Sequence, residues 1–253
     1  MNTYYYTSII STDGFGAQFQ KIIQTYIYCK IHEFKFAYRP LKWVEHNYDN
    51  NNTFVDKLEN LMNLKHNIIN INSNIEVQDL DFNSIVRKYF DDNIDMCCES
   101  EHMQFIKECF WQNKNKNYFN NGKINVAIHI RRENPHDQGE AGERVTTPNS
   151  YYLNIMNGIR EKYNRNDIIF HIYSQGNLDE FQCFVSSNKD VILYLNHDLV
   201  ESFMGMVSAN ILVTSPSSLS YVAALISDGE IYYKPFWHNP RKNWFIYTKH
   251  TKY

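Results

Sequence analysis

Ile124-Asn125-Val126-Ala127-Ile128-His129-Ile130-Arg131-Arg132 is the stretch that decides the fold. Seven largely apolar residues, rich in β-branched side chains, stop abruptly at two arginines. That pattern predicts a buried strand whose carboxyl end reaches solvent. Downstream, residues 133–148 are charged and punctuated by Gly and Pro, which predicts an exposed loop. Apolar periodicity then predicts helices at 149–163, 178–186, 198–208 and 217–226, alternating with strands at 168–173, 191–195 and 211–214. Strands alternating with helices at this spacing define an α/β fold with a parallel, doubly wound sheet and helices on both faces.

Upstream, residues 113–122 are polar and rich in Asn and Lys, as a linker is, and they place a domain boundary near 120. The expected division is therefore 1–120 and 121–253. The amino-terminal part opens with a strand at 4–10, a turn-rich break at 11–16, a helix at 17–31 and a second strand at 34–38. Helices are expected at 54–64, 82–90 and 102–112.

Composition narrows the partners. In 253 residues, 25 Lys and Arg against 28 Asp and Glu leave a net charge of −3. No basic excess is present to meet a phosphate backbone, so nucleic acid is not an expected partner. With 43% hydrophobic residues the chain can fill a core, which disfavours intrinsic disorder. No run approaches the ~18–20 apolar residues of a membrane span. Met1-Asn2-Thr3-Tyr4 lacks the basic start and apolar run of a secretory signal. The five cysteines match no zinc spacing, and the adjacent Cys97 and Cys98 are poorly placed for an ordinary disulfide. The expectation is a soluble, cytoplasmic protein.

Doubly wound sheets bind ligands beyond the carboxyl ends of their strands, and three segments fall there. His129-Ile130-Arg131-Arg132 closes the first strand of the second domain. Its guanidinium groups suit phosphate oxygens, or else bridge Glu133, Asp137 or Glu143. Thr214-Ser215-Pro216-Ser217-Ser218-Leu219-Ser220 joins a strand to an apolar helix; it is either ordinary helix-start chemistry or a phosphate seat. Asp13-Gly14-Phe15-Gly16 joins the first strand to the first helix, with Asp13 as a helix cap or a general base. Asp91-Asp92-Asn93-Ile94-Asp95 resembles a metal-binding D-x-D, but its helix-to-loop setting reads as solvated charge. The four tryptophans read as packing. His171 and His197 have no metal-ligand spacing.

Together the three segments resemble the GDP-fucose-dependent fucosyltransferases, those making α1,2 and α1,6 linkages and the protein O-fucosyltransferases. His129-Ile130-Arg131-Arg132 is similar to their H-x-R-R signature, and Asp13-Gly14-Phe15-Gly16-Ala17-Gln18 to their amino-terminal glycine loop. Met204 through Leu225 is similar to their third motif. Ile169 to Gln175 stands where the second places a strand ending in small polar residues. The resemblance implies a GT-B-like fold, two Rossmann-like domains with parallel sheets facing across a cleft. It implies an inverting, metal-independent transferase that moves fucose from GDP-fucose to a glycan hydroxyl. By resemblance Arg131 would hold the β-phosphate and stabilise the departing GDP, with His129 and Arg132 beside it. Ser174, Gln175, Ser217, Ser218 and Leu219 would hold the donor in the second domain, and Gly14, Phe15 and Gly16 would approach it from the first. Asp13 is the first candidate for the base, with Glu133, Asp137 and Glu143 as rivals. No metal or separate cofactor is expected. Two alternatives stand: a transferase using another nucleotide sugar, and a non-catalytic module binding GDP or a phosphoglycan.

Overall fold

The computed structural model describes residues 4–9, 11–47, 50–72, 74–132, 147–163, 167–186 and 188–247. The chain divides at Asn115 into two units, Met1–Asn115 and Lys116–Tyr253. No helix among the described residues is long and apolar enough to cross a membrane.

In the first unit the opening strand is short: Tyr5–Thr7 (β1) pairs in parallel with Val77–Asp79 (β2), which the sequence pattern did not mark. The strand expected at 34–38 is reduced to single bridges, Tyr6 to Phe36 on one side and Tyr38 to Asn70 on the other. Its backbone changes neighbour midway. The Ala37 amide donates to Tyr6, whereas the Tyr38 amide donates to Ile69 (2.9 and 2.7 Å). Neither partner is met for long enough to build a ladder. Four parallel segments result, in the spatial order 69–71, 36–38, β1, β2.

Helices fill the rest of this unit: Phe15–Ile31 (α1), Phe54–Met62 (α2), Lys88–Asp92 (α3), Ile94–Glu99 (α4) and Glu101–Trp111 (α5). Ser100 starts α5 by accepting the Met103 amide at 3.2 Å, and Asn63 ends α2 in the left-handed region. The helix expected at 82–90 begins instead as a π-helical turn, Phe82–Arg87. The acidic run at 91–95 is the α3–α4 junction rather than the start of a loop. Tyr26 of α1 stacks on Phe105 of α5 at 5.6 Å, inside a core that includes Phe19, Ile23 and Ile27.

The second unit carries the sheet that the alternating pattern predicts. Its strands are Ile124–Ile130 (β3), Ile168–Ser174 (β4), Val191–Leu195 (β5), Ile211–Val213 (β6), Glu230–Tyr233 (β7) and Phe245–Ile246 (β8). All six are parallel, in the order β5-β4-β3-β6-β7-β8. Counted within the unit this is 3-2-1-4-5-6, the order of a doubly wound sheet, and the order reverses between β3 and β6. The last two strands lie beyond the helix at 217–226, the last element expected from the sequence.

Alternation along β3 sorts its side chains to two faces. Val126, Ile128 and Ile130 join Phe170 and Ile172 of β4 in a cluster with Tyr152, Ile155, Met156 and Ile159 of Asn149–Lys162 (α6). Phe181 and Phe184 complete it; here the expected helix is a 3₁₀ turn, Leu178–Phe181, followed by one α-helical turn, Gln182–Val185 (α7). Leu199–Ser208 (α8) lies over the opposite face, where Gly205 meets Tyr173, and Ser218–Ile226 (α9) packs beside α8. On this second face the strands carry a polar group. His171 Nε2 lies 2.9 Å from Asn125 Oδ1, and the Asn125 amide nitrogen bonds Asn121. Trp244 is buried, but Trp43 and Trp237 are exposed, which corrects the expectation that the tryptophans pack inside.

A Cβ on Gly205 would stand 1.9 Å from the Tyr173 hydroxyl oxygen and 2.5 Å from its ring. Tyr173 is itself buried and stacked on Tyr194 at 4.9 Å, so it has little room to yield. Gly205→Ala should therefore cost about 1–3 kcal/mol, read as a lower urea midpoint for this unit.

Candidate functional site

The carboxyl ends of β3 and β6 lie side by side where the strand order reverses, and most of the sequence-derived candidates of the second unit gather there. His129 and Arg131 leave the end of β3. Beyond β6, the segment 214–217 leads into α9. Ser215 Oγ lies 2.9 Å from His129 Nδ1, both groups buried, so one hydrogen bond ties the two strand ends together. Burial, with the Arg131 charge second, pushes the His129 imidazole down to about 3. The ring is neutral near pH 7. It serves as a fixed polar strut between β3 and the turn before α9.

That turn is braced from within. Ser220 Oγ accepts the Ser215 amide and donates to the Ser215 carbonyl, both at 3.2 Å. Ser217 caps α9 by accepting the Leu219 amide at 3.3 Å. Ser217, Ser218 and Leu219 remain half-buried while the residues on either side are buried. The start of α9 is thus only partly covered, and the helix dipole makes it an electrostatically positive setting.

The two arginines separate. Arg132 turns toward the start of α6: it bonds Asn149 Oδ1 and the Thr147 carbonyl and lies 5.4 Å from the centre of the Phe181 ring. Arg131 reaches along the strand ends toward Gln175, its Nη1 lying 3.5 Å from Gln175 Oε1. Ser174 is spent on the scaffold, donating to the Ile130 carbonyl at 2.7 Å. That bond fixes the main chain immediately before Arg131. Of the predicted donor residues, Arg131, Gln175 and Ser217–Leu219 are half-buried at the strand ends, whereas His129, Ser174 and Arg132 position their neighbours.

In the first unit Asp13 is not the cap of α1. That position belongs to Gly14, which makes no side-chain cap, and a Cβ there would meet His46 at 3.0 Å. Asp13 instead forms an ion pair with Lys21 and accepts the Ser11 hydroxyl at 2.5 Å. Partial burial acts to raise its carboxyl, but the bonds from Lys21 and Ser11 outweigh it and the net shift is downward. Asp13 is therefore a carboxylate at neutral pH with reduced proton affinity. Phe15 and Gly16 form the buried first turn of α1, Phe15 against Phe19 at 5.5 Å. Glu133, Asp137 and Glu143 lie outside the described residues. Among the described residues, no three His, Cys, Asp or Glu side chains gather as a metal site would.

Two functional pairings escaped the sequence. Ser215 stands 86 positions from His129, and only the strand register brings them together. Lys21 lies two turns into α1, on the face that returns over Asp13. Compared with protein-family models and with curated proteins, the chain matches none.

His129 and His171 are both held neutral, His171 by burial that takes it down to about 4. The unfolded chain protonates these rings below about pH 6.5 while the folded one refuses the proton, so stability falls as pH drops through that window. Urea unfolding at pH 7 and pH 5 should show a loss on the order of 1–2 kcal/mol per ring. Imidazole NMR signals of the folded protein should show neither ring titrating over the same range.

Proposed function

We propose that this chain is an inverting, metal-independent glycosyltransferase that moves fucose from GDP-fucose to a glycan hydroxyl. One observation carries the reading: Arg131 and the open start of α9 flank the point where the strand order reverses, with His129 and Ser215 bonded across it. Ligands of doubly wound sheets bind at that point. A pyrophosphate there would meet a permanent cation from one strand and the amides and hydroxyls of a helix start from the next.

Chemistry follows from that grip. Glycosyl transfer builds negative charge on the leaving pyrophosphate while the sugar takes on oxocarbenium character. Groups fixed in advance against that charge lower the barrier. In this reading Arg131 performs the task other transferases give to a divalent cation held by a D-x-D. Gln175 orients the guanidinium, and Ser217, Ser218 and Leu219 hold the phosphate oxygens. Arg132 and Ser174 keep the end of β3 in place. Asp13 takes the proton of the acceptor hydroxyl; it is ionised at neutral pH, and only protonation below the ordinary carboxylate range would silence it. The finer architecture in this reading is GT-B-like. It is supported by the first unit's four parallel segments, whose order 69–71, 36–38, β1, β2 is 3-2-1-4, that of the first four strands of a Rossmann sheet.

A second reading, a non-catalytic GDP-binding module, is favoured by the bond of Asp13 to Lys21, which weakens Asp13 as a base. Thermal shift with GDP, GDP-fucose, GDP-mannose and UDP, followed by GDP release with and without acceptor glycans, separates the two. Transfer requires a GDP-selective shift and acceptor-dependent release; a GDP shift without release on any acceptor selects the module, and a UDP preference changes the donor.

Arg131→Ala should lower turnover by ~10²–10³, the size of one charge-assisted contact to a transition state, measured as GDP release at saturating donor. Near-full transfer by that variant removes Arg131 from the chemistry. Asp13→Asn should reduce kcat by roughly 10² or more and abolish the acid limb of the pH–rate profile. Unchanged turnover and profile would assign the base elsewhere.

A further inference from the structure

The first unit holds a small depression at the carboxyl ends of β1 and of the 36–38 segment. Ser8, Ser11 and Gln18 line it together with Lys21, Arg39 and Lys42; among the described residues no acidic side chain lines it, although Asp13 bonds both Ser11 and Lys21. Its cavity volume is about 20 Å³, room for a water-sized or carboxylate-sized group and not for a sugar ring. Two of the cations are set into the wall, with side chains 20% (Lys21) and 16% (Arg39) exposed. Their carboxylate partners, Asp13 and Asp79, are about half exposed. The third, Lys42, is exposed and makes no ion pair among the described residues.

The wall is built rather than incidental. Arg39 Nη1 donates to the Ser8 carbonyl (2.9 Å) and reaches Asp79 (2.7 Å), tying the ends of adjacent parallel segments. Buried Glu59 accepts both the Tyr38 hydroxyl and the Leu41 amide, at 2.9 and 2.6 Å, which fixes the backbone carrying Arg39 and Lys42. Gln18 donates to the Trp43 carbonyl at 2.9 Å. The Trp43 side chain is nonetheless 53% exposed, and Ile9, which also lines the depression, is 44% exposed. A cationic niche whose Lys42 is followed directly in the chain by an exposed tryptophan fits a ligand whose charged group enters while its ring stays outside, against an aromatic face.

We propose that this niche binds the carboxylate of an acidic sugar, with Lys42 contacting the oxyanion and Trp43 supporting the ring. The site rests on the transferase reading only in making that sugar part of the acceptor; binding itself can be tested without transfer. The full-length chain is titrated with glucuronic acid, glucose and inorganic phosphate, followed by calorimetry or by the Trp43 indole NMR signal. Expected are saturable binding of glucuronic acid, at least tenfold weaker binding of glucose, and weakening by added salt. Lys42→Ala and Trp43→Ala, both at exposed positions, should each reduce glucuronic acid affinity fivefold or more. GDP is titrated against the same proteins. Glucuronic acid bound by the wild type and lost in Lys42→Ala supports the niche even where GDP fails to bind, an outcome that sinks only the transferase reading. Equal affinity for glucose and glucuronic acid, unaltered binding by Lys42→Ala, or binding of inorganic phosphate alone overturns it.

Discussion

A parallel sheet buried on both faces leaves its polar chemistry only one outlet, the row of loops where its strands end. In the second unit this constraint is met at the reversal between β3 and β6, and the His129–Ser215 hydrogen bond is its keystone. The imidazole sits below the rim, neutral because charging it in so dry a place is costly. What stands above it is decided by what it fixes: the exit of β3 toward Arg131 and the turn into α9. Ser174 on one side and Ser220 on the other add further restraints to the same two exits. Four buried groups thereby set the positions of the half-buried ones at the rim, and a rigid rim is what an electrostatic grip needs, since donors that must reorganise lose much of their effect.

The first unit solves a similar problem with less regular structure. Its parallel segments are short and partly reduced to single bridges, so side chains do what a longer ladder would otherwise do. Glu59, buried with its carboxyl raised mainly by that burial, gathers Tyr38 and Leu41. Arg39 and Gln18 pin the loop that follows. These bonds cross between segments, which ladder hydrogen bonds would do if the strands ran further.

The sequence was most legible where periodicity ran long. β3 and β5 fall on their expected residues because each is a compact, largely apolar run, and α8 and α9 begin one residue after the Asp198 and Ser217 that cap them. Legibility failed where structure depends on a neighbour. β8 is two residues, too few for any pattern, and exists because β7 offers it a partner. The 36–38 segment has strand composition but divides its pairing between two sides. Among the site residues, the arginines announced themselves by standing at a strand end, yet nothing in their adjacency told which one packs on Phe181 and which lies by Gln175. Asp13 was visible as an acid beside glycines; its bond to Lys21 depended on how α1 leaves the turn.

Brief as it is, β8 changes what the second unit shows to its surroundings. A parallel sheet can grow sideways without limit, and its outermost strand is an invitation to any other chain with free amides and carbonyls. Phe245 and Ile246 occupy the flank of Tyr232 and Tyr233, and Phe245 also stacks on Tyr232 at 5.1 Å. A chain shortened ahead of Trp244 would leave β7 bare along its length, with aromatic side chains at the border. Such a fragment would be prone to self-association through lateral pairing, although every group around Arg131 would still be present.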